Sequence, residues 1–336
     1  MTILHSSEWL SPGNSLDGLH PLKRTAKNAC NVVPKFLLLL LKAVNQPNRN
    51  RRMKIMKLLP IVLLVAFLSS FASGAEPPPP EKSPPPEKPI FKDKKLEAAV
   101  RKFIFDKRDN DKPIVEADLV NLSTIQATGL ELTDLSGLEK CQSLASLDLA
   151  NNKIADLQPL KTLAKIQYLN LANNQIEDIS PLSEIPALQY IELSHNRVKN
   201  LQPLSLLTNM ASLYLSHNQI TDIAPIVKLP RLASLYLDNN RIKSIQGING
   251  LKSLSMLSLS NNLISDLSPL DGLTGLYSLF LENNKIKDLT PLVNMTKKDF
   301  EGNKHFAPFL NLYLKGNPVK RKQLAKLEEF GCRISR

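Results

Sequence analysis

The chain has 336 residues, a formal charge of +12, three cysteines and five histidines. Residues 1–75 hold ten Lys/Arg against two Asp/Glu, a net +8, so the remainder carries only +4, and no nucleic-acid partner is expected from overall basicity. Three cysteines exclude both a disulfide framework and a four-thiolate zinc site, and five histidines are too few for a rich metal or acid–base centre.

Residues 1–52 are of mixed composition, with one apolar run over residues 36–41 that is too short to cross a bilayer. Residues 53–75 follow the order of a secretory signal peptide. Lys54 and Lys57 stand behind Arg51 and Arg52, residues 58–68 are apolar, and Ser69, Ser70, Ala72, Ser73, Gly74 and Ala75 make a small-residue end. Cleavage is expected after Gly74 or Ala75. The competing reading is a retained signal anchor, for which the 18 residues from Leu58 to Ala75 are barely enough. No cysteine stands at the end of the apolar run, so a lipoprotein anchor is not expected. A signal peptide normally opens a chain. Translation is therefore expected to start at Met53, with residues 1–52 a gene-model extension; the alternative is an unusually long basic leader. Residues 76–89 contain eight prolines in fourteen positions and read as an extended, semi-rigid spacer.

Residues 90–120 are expected to form a helical N-terminal cap. Leu96, Val100, Phe103 and Ile104 recur at helical spacing, and residues 116–120 read as one further turn. From residue 121 to 292 the sequence repeats. Asn152, Asn174, Asn196, Asn218, Asn240, Asn262 and Asn284 are each 22 residues apart, in the frame L-x-x-L-x-L-x-x-N-x-I. Four residues beyond each Asn stands Asp, Asn or Ser, and seven beyond stands Pro, except at Gly247. A fixed period with this frame is the signature of a leucine-rich repeat. The Leu-x-Leu alternation makes a short strand with one face inward, and successive coils stack such strands into a parallel sheet. A buried amide at the turn can donate to and accept from neighbouring coils, so the asparagines read as a structural ladder. The column from Asp156 to Asp288 reads as caps for short 3₁₀ turns. The fold expected is an α/β solenoid: a curved horseshoe with a parallel β-sheet on its concave face, a 3₁₀ or irregular convex face and a helical N-cap.

Residues 293–336 read as an irregular last repeat and C-terminal cap. The frame returns at Leu312, Leu314 and Asn317, 33 residues after Asn284, followed by a short helix over residues 323–329 and a closing strand at 332–334. Cys141 falls in a core column and Cys332 at the far cap, about 40 Å away at ~4.8 Å per strand, so a disulfide between them is not expected.

Between the inward leucines, two columns face out of the concave sheet. They place Tyr168, Tyr190, Tyr214, Tyr236, Met256 and Phe280 on the middle and later strands, near Glu192 and Asp238. Tyrosine enrichment with methionine and few lysines is the composition of an interface centre, and these eight residues are the expected partner-binding set. The competing reading is that exposed tyrosines are good strand formers that cover the sheet. His195 and His217 sit in adjacent coils with no obvious third ligand, so no metal site is expected. No P-loop, G-x-G-x-x-G, H-E-x-x-H, G-x-S-x-G or C-x-x-C motif occurs, and a non-catalytic chain without cofactor is expected.

The 22-residue unit closing on Asp-(Ile/Leu)-x-Pro-Leu, the segment LEAAVRK at residues 96–102 with VEADL at 115–119, and the signal segment together resemble the internalin family of bacterial leucine-rich-repeat proteins. The resemblance spans residues 90–320. It implies a secreted, periplasmic or surface-displayed scaffold whose concave sheet grips a protein partner, or else a glycan. No Leu-Pro-x-Thr-Gly motif occurs near residue 336, so cell-wall attachment and host invasion are not implied. The unit is also similar to the intracellular repeat protein that regulates type 1 protein phosphatase, a reading that leaves the signal segment unexplained. The mature chain is expected to be a monomer with no membrane span.

Overall fold

The computed structural model describes residues 89–335; the expected signal segment and nearly all of the proline-rich spacer lie outside them. Helix α1 (Lys94–Arg101) begins where Asp93 accepts hydrogen bonds from the N–H groups of Lys95 and Leu96, at 2.7 and 3.3 Å. It buries Leu96, Ala99 and Val100 against the first strand, and Arg101 pairs with Glu97 one turn back at 2.7 Å. Arg101 also donates to the carbonyls of Asn110 and Lys112. This ties down the loop that leads to the single turn α2 (Glu116–Leu119). Lys107 pairs with Asp118, which also accepts the N–H of Val115.

Ten three-residue strands then form one sheet in chain order, every neighbour parallel. They are β1 (Thr124–Gln126), β2 (Ser146–Asp148), β3 (Tyr168–Asn170), β4 (Tyr190–Glu192), β5 (Ser212–Tyr214), β6 (Ser234–Tyr236), β7 (Met256–Ser258), β8 (Ser278–Phe280), β9 (Asn311–Tyr313) and β10 (Arg333–Ser335). From β1 to β9 the middle residue of each strand is a buried Leu or Ile, and its two neighbours point out of the sheet. The opposite side of each coil is a 3₁₀ turn, as at Gln158–Leu160 and Gln202–Leu204. The side chains of Asp156, Asp178, Asn200, Asp222, Ser244, Asp266 and Asp288 accept the first N–H of the following turn or helix, at 2.8 to 3.3 Å. This is the α/β leucine-rich-repeat solenoid that the 22-residue frame predicts.

The asparagines stitch the coils. Asn240 is representative: its Oδ1 accepts the Ile220 N–H at 2.9 Å, while its Nδ2 donates to the carbonyls of Leu215, Leu237 and Asp238 at 3.0 to 3.2 Å. One side chain thus satisfies backbone groups of its own coil and of the coil before it. The same pattern holds at Asn152, Asn174, Asn196, Asn218, Asn262 and Asn284, and ends at Asn317. The residue before each rung is left-handed, with φ from 53 to 59° at Asn151, Asn173, His195, His217, Asn239, Asn261 and Asn283.

The stretched final repeat contains an element that the repeat frame does not predict. Helix α3 (Thr290–Glu301) replaces the 3₁₀ turn, with Pro291 in its first turn and Leu292, Val293, Met295 and Thr296 buried. Asp299 near its end accepts the N–H groups of His305, Phe306 and Ala307, folding the chain back toward β9. Helix α4 (Arg321–Glu329) buries Leu324 and Leu327 and leads into β10. Gln323 on α4 donates to Asp288 and Thr290, locking the two helices together. The Thr290 hydroxyl and N–H, then Gln323, hold the Asp288 carboxyl down to about 2. Cys141 and Cys332 are both free and buried, and burial pushes both thiols up to about 12.

Candidate binding face on the concave sheet

Strand register fixes the geometry of the outward columns. Tyr168 stands opposite Tyr190, Tyr214 opposite Tyr236, and Phe280 opposite Tyr313. At one strand spacing, ~4.8 Å, facing rings meet face to face. Tyr168 and Tyr190 stack with centroids 4.5 Å apart, Tyr214 and Tyr236 at 4.6 Å, and Phe280 and Tyr313 at 4.3 Å, all within 14° of parallel. Tyr190 reaches diagonally to Tyr214 at 5.2 Å and 41°, so four tyrosines on β3 to β6 form one continuous row. The Tyr236 hydroxyl meets the Met256 sulfur, which extends the row to β7. Tyr168 is exposed, and the other members are half-buried against their neighbours.

The polar members of the expected set stand beside this row. Glu192 accepts the Ser194 N–H at 2.7 Å. Asp238 accepts the Ser260 N–H at 2.8 Å and the hydroxyls of Ser216 and Ser258. Asp238 is therefore more engaged in the sheet than the sequence reading supposes, while Glu192 uses one oxygen. Burial, then the charges of Asp148 and Glu192, raise the Tyr168 phenol above its ordinary value. Burial and Glu192 do the same for Tyr190, and burial, Tyr214 and Asp238 for Tyr236. These hydroxyls remain neutral hydrogen-bond donors throughout the physiological pH range.

Two aromatics belong with this face although they are outside the expected set. Tyr313 completes the Phe280 stack, and the signal was its position in the Phe280 column once the 33-residue offset is applied. Tyr277, one residue before β8, is 53% exposed at a position held by Gln, Ala or Ser in the coils before it.

His195 and His217 stack at 4.0 Å and 13° on the loop flank, and the His217 Nε2 lies 3.1 Å from the Asn239 amide. Their left-handed backbone accounts for their residue type, since Asn and His tolerate that conformation better than most side chains. Among the described residues no three His, Cys, Asp or Glu side chains are grouped so as to hold a metal ion. No helix of the described residues is long and apolar enough to cross a membrane.

The family model described as leucine-rich repeats (2 copies) matches residues 164–206, 208–250 and 252–294. No curated protein matches the sequence. Among solved structures, internalin C2 from Listeria monocytogenes is similar at 31% identity over 73% of this chain and 95% of that one, with a TM-score of 0.52. A leucine-rich-repeat protein from Leptospira interrogans is 24% identical over 66% of this chain and 62% of its own, with a TM-score of 0.53. The ectodomain of the plant receptor kinase GASSHO1/SCHENGEN3 from Arabidopsis thaliana, solved in complex with CASPARIAN STRIP INTEGRITY FACTOR 2, is also 24% identical. It matches 66% of this chain and 27% of its own, with a TM-score of 0.53. The last two likenesses establish the fold alone. With its 22-residue coils, asparagine ladder, helical N-cap and 31% identity to internalin C2, the chain belongs to the internalin family of leucine-rich-repeat proteins.

Proposed function

We propose that the protein is an exported, non-catalytic scaffold that binds a protein partner through its concave sheet, with Tyr168, Tyr190, Tyr214, Tyr236, Met256 and Phe280 as anchors. Solenoids of this fold are interaction scaffolds with extended concave surfaces. The observation that carries the reading is the continuous tyrosine row on β3 to β6. Its rings are held rigid by one another, so a partner meets preformed aromatic area at little entropic cost. Glu192 adds a polar contact beside the row, and Asp238 mainly shapes its edge.

Site-directed photo-crosslinking tests this. A benzoylphenylalanine at position 214, in cells that make the protein, is expected to give a discrete adduct, and the same probe at Lys243, exposed and outside the strands, none. An adduct from both positions, or from neither, overturns the reading. Tyr214→Ala with Tyr236→Ala should abolish capture by a probe at Tyr190. It should cost about 1 kcal/mol of stability beyond lost area for each broken stack, a shift of a few degrees in Tm. Export rests on residues 53–75. N-terminal analysis of the native protein is expected to find a start near Glu76 outside the cytosol; a cytosolic chain starting at Met1 or Met53 overturns export.

A further inference from the structure

The concave face is segregated by charge as well as by aromaticity. From β1 to β8, the outward strand positions and the position two residues beyond each strand hold no Lys or Arg. They do hold four carboxylates: Asp148 on β2, Glu192 on β4, Asp238 just past β6 and Glu282 just past β8. All four are half-buried and none forms an ion pair among the described residues. Their hydrogen bonds come from neutral donors only: Ala150 N–H to Asp148, Ser194 N–H to Glu192, Ser260 N–H and two serine hydroxyls to Asp238, and the Ser260 hydroxyl to Glu282. Acids away from this face include both unpaired caps, such as Asp156 and Asp178, and ion-paired side chains. Glu131 pairs with Lys153 and Glu177 with Lys199 across adjacent coils.

The four carboxylates follow the aromatics. Asp148 and Glu192 lie one outward position beyond Tyr168 and Tyr190 along the strand direction, and Asp238 and Glu282 lie one beyond Tyr236 and Phe280. The acids thus flank the aromatics on one side, with one carboxylate on every second strand, and they step over by one outward position between β4 and β6 as the tyrosines do between Tyr190 and Tyr214. Two strand spacings are ~9.6 Å. Three residues of extended or polyproline-type chain rise ~9.3–10 Å.

We propose that the occupant of this face is an extended cationic polypeptide segment laid across the strands. Its Lys or Arg residues recur about every third position to meet the carboxylates, and its backbone and aliphatic stems lie over the aromatic row. The inference rests on the concave-face reading above and names the chemistry of the partner. Six strand spacings from β2 to β8 are ~29 Å, the length of a ten-residue extended segment with cations at its first, fourth, seventh and tenth positions. Lysine and arginine suit both parts of the face, since their stems pack on aromatic rings and their heads seek carboxylates. Burial first raises the phenols of Tyr168, Tyr190 and Tyr236, and the nearby carboxylates Asp148, Glu192 and Asp238 add to it.

The test uses fluorescein-labelled ten-residue peptides in a Ser/Pro background and reads anisotropy with the purified full-length chain. One peptide carries lysines at positions 1, 4, 7 and 10, the second has the same four lysines contiguous, and the third has glutamate in place of lysine. The spaced-lysine peptide is expected to bind about tenfold tighter than the clustered one and to weaken as salt rises from roughly 0.05 to 0.3 M. The glutamate peptide should not bind. Glu192→Gln with Glu282→Gln, which keeps the hydrogen bonds of both side chains and removes their charge, should weaken the spaced peptide about tenfold at unchanged Tm. Equal binding of the glutamate peptide, undiminished binding to the charge variant, or no binding of the lysine peptide at ~1 mM each overturn the cationic partner. If the crosslinker at position 214 still captures a protein in those cases, only the partner's chemistry falls. If the lysine peptide binds undiminished to the Tyr214→Ala, Tyr236→Ala variant, the concave-face reading falls with it.

Discussion

His195 and His217 share a backbone position with five asparagines, and that position rather than any chemistry selects them. The sequence places them in adjacent coils on the loop flank, but their left-handed conformation is legible only on noticing that the residue before each rung from Asn152 to Asn284 is Asn or His. Burial, then the neighbouring His195, lowers the pKa of His217, and Asp238 opposes them. The folded chain therefore takes up a proton here less readily than the unfolded one. This contribution to stability is complete above the unfolded value near 6.5 and declines as pH falls through it, levelling off below the folded value. His217→Asn keeps the conformation and removes the titration. Between about pH 7.5 and 5, the Tm of the wild type should fall more than that of the variant, and equal falls would acquit His217. Gly316 ends the same left-handed column, with φ of 78°. A Cβ there would stand 2.1 Å from the Asn283 Oδ1, so Gly316→Ala should lower the Tm by displacing Asn283.

Each coil alternates a three-residue strand with a three- to five-residue 3₁₀ turn, elements too short to persist alone, so the rungs and the shared core hold them. Asn240→Ala leaves the Ile220 N–H without its partner in a buried place, while the Leu215 carbonyl keeps the Asn218 amide. At 1–3 kcal/mol for an orphaned buried group, the loss should be about 2 kcal/mol by urea unfolding, and smaller for Asn317→Ala at the less buried last rung. A loss below about 1 kcal/mol at Asn240 would mean that water replaces the amide. Strands, rungs and caps were legible because a fixed period reports the same geometry seven times. Helix α3 was not, because it occurs once and interrupts the frame. The final repeat has eleven residues more than the others, and a helix rising 1.5 Å per residue stores its twelve residues in ~18 Å. Compaction of the surplus chain, rather than a repeat signal, gives that helix its place.

The strands are ordered β1 to β10 without a crossover, so each coil is held by its immediate neighbours alone. Deleting residues 241–262, one whole period, joins Asn240 to Leu263 in frame and preserves the tyrosine row and both caps. The shortened chain should unfold cooperatively, with a urea m-value reduced in proportion to the surface lost, whereas deleting eleven residues should unfold it. The columns of the candidate face were legible at this level too, since period and register carry Tyr168 to Tyr190 and Tyr214 to Tyr236. Which rings stack, and that the nearby carboxylates lack ion-pair partners, depends on side-chain conformation and had no sequence signal. The hydrogen bonds between strands run along the stack and not across it. Tension applied between residues 89 and 335 therefore loads them as a zipper, one coil at a time. Each coil that peels away lengthens the tether by roughly 75 Å, so a chain of this build can absorb mechanical work in small, reversible steps.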